Sequence, residues 1–203
     1  MFLARRPTRD VIDRFLRESQ HLPLSYAPLE IARSPTNNRD LDESTVVIGH
    51  GQAAFERARA ALLDWQQFNI GWIETFPRRA PVSAGTTVAV LIRHLGFWSL
   101  NGCRIRYCIG GSADVARFGF AYGTLTNHAE NGEERFEVFI DPRTENVVYR
   151  ILATSWPQVR LARLGRPIVR ALQRRFQDHS AAAMTRATQR IEGGRQGTDW
   201  QNP

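Results

Sequence analysis

His128, Glu130, Glu133 and Glu134 fall within one short stretch, TNHAENGEERF, of a chain of 203 residues. An imidazole and carboxylates this close together could ligate a divalent cation, or pass protons as a general acid and base. The same stretch contains Asn131-Gly132, a tight-hairpin dipeptide, which would make the polar residues ordinary turn chemistry. If Glu133 and Glu134 open a strand, they face opposite ways and at most one points inward. An inward carboxylate could pair with an arginine such as Arg104, Arg106 or Arg117, which would hold a buried charge. The stretch therefore reads as a rim rather than a reaction centre. Its candidate catalytic residues are His128, Glu130 and Glu133, and no metal or cofactor is expected.

Elsewhere the chemistry-bearing residues are sparse. His50, in IGHGQ, precedes a helical pattern and would sit near a helix N-terminus, where anions are favoured, but the Gly-Lys-Ser/Thr ending of a phosphate loop is missing. His21, His94 and His179 are isolated, and no Gly-x-Ser-x-Gly or GxGxxG motif occurs. Cys103 and Cys108 are five residues apart in one strand pattern, which places them on opposite faces as small hydrophobes.

The 27 basic side chains are all arginine, and the net charge is +7. That surplus favours acidic partners in general. Arg166, Arg170 and Arg174 recur every four residues near the end of the chain, a candidate strip for an acidic partner or lipid headgroups. No nucleic-acid motif accompanies the charge, so sequence-specific reading of nucleic acid is not expected. No apolar run is long enough to span a bilayer and no secretory pattern opens the chain, so a cytoplasmic address is expected.

The elements that must position these residues follow from periodicity. Residues 1–23 read as a loose arm and a short amphipathic helix over 10–20. An edge strand is expected over 24–32, then a polar loop over 34–44 and a short strand at TVVIGHG. QAAFERARAALLDWQQF reads as a helix whose apolar stripe is Phe55, Ala58, Leu62 and Trp65. The period then becomes two, with strands at about 71–75, 85–95, 99–109, 115–125, 133–141 and 146–155. Their short links require antiparallel neighbours. A last helix over 166–191, roughly 38 Å long, is long enough to cross the whole sheet. Residues 192–203 read as a disordered tail.

This order describes an α+β domain over 24–191, with a curved antiparallel sheet of six to seven strands wrapped around the C-terminal helix. In RFGFAYGTL, Phe118, Phe120 and Tyr122 share one face and Gly119, Ala121 and Gly123 the other. Either the aromatics point inward, lining a cavity or simply filling the core, or the glycine face receives the long helix and the aromatics sit outside. The first is expected, since a row of exposed large groups would invite aggregation.

GHGQAAFERARAALLDWQQF, CRIRY, RFGFAYGTLTNHAENGEERF and LARLGRPIVRALQRRFQDHSAAAM resemble the domain of unknown function 1990 family over about residues 24–190. The order of elements is similar to the helix-grip fold of the birch-pollen-allergen, lipid-transfer (START) and polyketide-cyclase superfamily. A Val-Gly-x-Thr element usual in the family after a tyrosine is replaced here by PLEIARS after Tyr26. By superfamily analogy, the resemblance implies a cavity for a small, largely apolar or amphipathic ligand. Trp65, Trp72, Phe118, Phe120 and Tyr122 would form its walls, with Arg104, Arg106 or Glu133 orienting a polar end. Two other readings stay open. One is an enzyme of the same fold, cyclase- or hydrolase-like, using His128 and a glutamate as acid and base. The other is an interaction module using the arginine-rich helix face.

Overall fold

A computed structural model describes residues 1–27, 41–94, 96–110, 116–157 and 166–189. Most of the expected first edge strand, the polar loop up to residue 40 and the C-terminal tail lie outside the described residues. The strands are β1 (Phe2–Leu3), β2 (Leu41–His50), β3 (Ile73–Phe76), β4 (Thr87–His94), β5 (Phe97–Ile109), β6 (Arg117–Thr124), β7 (Glu130–Ile140) and β8 (Asn146–Pro157). The helices are α1 (Arg9–Ser19), α2 (Gly51–Leu63) and α3 (Arg166–Gln189).

One antiparallel sheet runs β2-β8-β7-β6-β5-β4-β3. β3 to β8 are in chain order because each short link allows only an antiparallel neighbour. β2 joins the far edge against β8, and the two-residue β1 pairs with β5. The first residues are therefore not a loose arm: Phe2 lies opposite Ser99, and the Met1 amine donates to the Leu100 carbonyl at 2.9 Å.

The concave face carries the main core. Ile48, Phe55, Leu62, Phe68, Phe120, Phe136, Tyr149 and Met184 pack there, joining α2 and α3 to the sheet. Each such side chain contributes about 1.5–3 kcal/mol through removal from water. α3 presents Phe176, Ser180, Ala183, Met184 and Thr188, spaced by three or four residues, to this face. Along α3, Phe176 and Ala183 are buried and Leu172 and Ala187 half-buried. A smaller cluster of Ile12, Phe15, Phe76, Ala89, Leu91 and Leu100 fastens α1 to the convex face.

α2 ends earlier than its apolar period implied. Asp64 caps it, and Trp65 takes a left-handed backbone (φ 59°) that turns the chain into a short 3-10 segment, Gln66–Phe68. The turn directs the Trp65 indole into the core, where its N–H donates to the Ala80 carbonyl at 2.8 Å.

Candidate functional site

The site begins with the alternation along β6 and β7. Tyr122 lies opposite Glu134, Phe120 opposite Phe136 and Phe118 opposite Val138. Phe120, Tyr122, Phe136 and Val138 all belong to the concave core, and parity places Glu134 on that face. Glu133 consequently points to the convex side, where the Tyr26 and Tyr107 hydroxyls donate to its carboxylate at 2.8 and 3.2 Å. Glu133 borders the cavity, but its carboxylate is held by the two tyrosines on the convex side, and strand parity makes Glu134 the inward carboxylate.

The turn also sits elsewhere than Asn131-Gly132 implied. Those residues belong to β7, opposite Trp156 and Ser155. The chain reverses at residues 125–129, closed by the His128 N–H donating to the Leu125 carbonyl at 2.9 Å. Thr124 holds this register, because the Gly132 N–H donates to its Oγ1 at 2.9 Å and that hydroxyl donates back to the Gly132 carbonyl at 3.2 Å. Extending β7 backwards brings Glu130 and the adjoining His128 to the concave side.

There the grip is hollow. A cavity of about 470 Å³ lies between the sheet and the first half of the described α3. Its apolar wall includes Phe68, Trp72, Ile73, Val90, Leu172 and Phe176, and the exposed Phe2 and Phe97 border it. Its polar wall joins His128, Glu130 and Glu134 to His94, Ser99 and Asn101. Within that wall Asn101 donates to Ser99 Oγ at 2.9 Å, and Ser99 Oγ lies 2.7 Å from His94 Nε2. The Ala129 N–H donates to Asn101 Oδ1 at 3.3 Å and ties the turn to β5.

The two groups best suited to proton chemistry are shifted in opposite senses. Burial pushes the Glu134 carboxyl up to about 7, partly offset by the Tyr122 hydroxyl donating to Oε2 at 2.6 Å. Burial also lowers the His128 imidazole to about 4, so at neutral pH it carries no charge. Its Nδ1 is held by the Glu130 main chain, whose N–H donates to it at 2.9 Å. Burial raises the Glu130 carboxyl as well. No His128–carboxylate hydrogen bond exists among the described residues, so the imidazole and the acids share a cavity without forming a dyad. Nor is there a cluster of three or more His, Cys, Asp or Glu suited to a metal ion among those residues.

The expected wall residues divide. Trp72 and Tyr122 line the cavity. Trp65 and Phe120 instead pack on each other, with ring centroids 5.0 Å apart, in the filled part of the core. Phe118 lies beside them beneath the Arg59 guanidinium, 5.2 Å away. Neither Arg104 nor Arg106 lines the cavity. Arg104 donates from the convex side to Thr87 and to the carbonyls of Ser19 and Gln20, fastening α1. A register shift between Ile105 and Tyr107 displaces Arg106 from the alternation. The same shift returns Cys108 to the face of Cys103, contrary to their five-residue spacing; Cys103 is buried and Cys108 exposed.

Arg117, expected as a partner for an inward carboxylate, meets Glu137 on the convex face at 2.7 Å, where Arg135 and Arg150 join it. Burial alone would raise Glu137, but the three guanidinium groups prevail and hold it below the usual carboxylate value. Arg170 and Arg174 are exposed on α3, and the Arg166 side chain lies outside the described set. His50 is exposed, 3.9 Å from Glu145.

Glu134 was within reach of the sequence. It shares parity with Phe136 and Val138, which are plainly interior types, and that relation separates it from Glu133. The contributions of Phe68, Phe176, Ser99 and Asn101 depended on how strands and helix close around one volume, which no local pattern records.

A curved antiparallel sheet gripping its C-terminal helix defines a helix-grip protein. The chain belongs to the family described as "Domain of unknown function (DUF1990)", which matches residues 25–183. It is 32% identical to a UPF0548 protein of Dictyostelium discoideum, over 92% of this chain and 95% of that one. It is 35% identical to a UPF0548 protein of Deinococcus radiodurans, over 92% of this chain and 98% of that one. Among solved structures, TTHA0849 from Thermus thermophilus is similar in fold, with a TM-score of 0.50 at 12% identity, covering 73% of this chain and 96% of that one. No helix among the described residues is long and apolar enough to cross a membrane.

Proposed function

We propose that this protein binds a small, largely apolar molecule between its curved sheet and α3. The observation that carries this reading is the cavity of about 470 Å³, within the roughly 300–1,000 Å³ range of ligand sites. Its aromatic and aliphatic wall is accompanied by polar side chains from the sheet and from Gln173 and Gln177 of α3, as an amphipathic occupant requires. Native mass spectrometry of protein purified without detergent tests the reading. An adduct is expected that acid or organic solvent releases. Ala153 lines the cavity opposite Glu134, so Ala153→Phe would push a ring into the space beside the polar wall. That variant should keep its circular dichroism and lose the adduct. Bare wild-type protein that also takes up no apolar probe would defeat the proposal.

A second reading has its own supporting observation. Glu134, raised to about 7, shares the cavity with a neutral His128, which suits proton transfer to a bound substrate. In that reading Glu134 replaces Glu133 as the acid–base glutamate. Chemical alteration of the captured molecule by wild-type protein, but not by Glu134→Gln, would distinguish catalysis from carriage.

A further inference from the structure

The sheet separates its charges by face. Arg104, Arg117, Arg135 and Arg150 lie on the convex side, the last three around Glu137. No arginine lines the cavity among the described residues, although the chain has 27. The carboxylates of Glu130 and Glu134 do line it, and Asp42 adds a third at its exposed edge, opposite Ala153. Tyr122 occupies one oxygen of Glu134, and Oε1 has no hydrogen-bond partner among the described residues. Glu134 is half-buried and lines the cavity. A partly buried carboxylate with no countercharge among the described residues is disfavoured in its ionised form until a cation arrives.

We propose that the occupant is an organic cation: an amine with an apolar body, its ammonium group seated against Glu134 and Glu130. This rests on the ligand-binding reading above and specifies the charge of the ligand. The ammonium would donate to Glu134 Oε1 and complete that carboxylate. The Tyr122 and Phe176 rings also line the cavity, and aromatic rings suit a cation through their negatively polarised faces. Among the described residues a carboxylate or phosphate ester would meet two or three acids and no guanidinium, which disfavours it. A metal ion is a poorer match, because the described residues hold no cluster of three or more donors.

The test uses the full chain and three probes with one skeleton: phenylbutylamine, phenylbutanol and phenylbutanoic acid, titrated by calorimetry near neutral pH. The amine is expected to bind roughly tenfold more tightly than the alcohol, as one added hydrogen bond to a charged group implies, and the acid more weakly than either. Glu134→Gln should reduce amine affinity to that of the alcohol while changing alcohol affinity less than about twofold. Equal binding of alcohol and amine, or preferential binding of the acid, overturns the charge assignment and leaves the cavity reading standing. Failure of all three to bind overturns both. The wild-type ranking decides the matter even if the variant does not fold.

Discussion

Glu133 and Glu134 are adjacent and chemically identical, yet one is held by two tyrosines on the convex face and the other faces the cavity. The consequence of the second placement can be read in stability against pH. The Glu134 carboxyl rises from 4.5 to about 7 on folding, mainly through burial, so the fold retains its proton more firmly than the open chain does. That stabilisation is fully present below about pH 4.5 and is lost as pH rises through 7. His128 falls from 6.5 to about 4, also through burial, so its contribution is present above about pH 6.5 and is lost on acidification. Between these limits the two slopes oppose one another. Glu134→Gln should leave the His128 slope, so its Tm rises from about pH 5 to pH 6.5 by several degrees more than that of wild type. His128→Gln should show the reverse. Parallel melting profiles for all three proteins would mean that neither group is buried as described.

At the scale of the element, β6 shows how a strand serves two faces. Its aromatics fill the core, while Gly119, Ala121 and Gly123 leave room for side chains laid across the convex face. A Cβ on Gly119 would stand 2.5 Å from the Phe136 carbonyl oxygen and 2.7 Å from Glu137 Cβ, and one on Gly123 would meet the Tyr26 ring. Gly119→Ala must therefore displace backbone as well as a side chain. Chemical denaturation should show a loss of roughly 1–3 kcal/mol. An unchanged midpoint would show that the close approach is absent. The strands were legible in the sequence because their alternation is local, and β6 through β8 lie near their expected bounds. Two irregularities were not. The shift near Arg106 and the turn at 125–129 arise from pairing with neighbouring strands. Asn131-Gly132 favours a turn only while no partner offers its backbone a ladder; β8 offers one.

Across the whole molecule, the grip divides into a filled half and an open half. Around Trp65, Phe68, Phe120, Phe136 and Phe176, aromatic rings lie within 5.0–6.3 Å of one another. Toward β3, β4 and the turn at 125–129 the same interior opens into the cavity. Stability should follow this division. Phe136→Ala, in the filled half, is expected to cost roughly 3–5 kcal/mol because it leaves a void in close packing. Leu172→Ala, at the cavity wall, should cost about 1 kcal/mol, since its side chain already borders open space. Equilibrium unfolding of both variants checks the contrast, and comparable losses would indicate that the interior is packed throughout.

The sequence by itself determined the succession of elements, the sharing of one face by the aromatics of β6, and the terminal helix as the cover long enough for the sheet. Those properties follow from side-chain period and link length, which are written locally. Only the tertiary structure decided that Trp65 and Phe120 fill space while Trp72 and Tyr122 border it, that no described arginine lines the cavity, and that Glu134 has an open oxygen within. A void belongs to no residue: it is what remains where packed surfaces from distant parts of the chain do not meet.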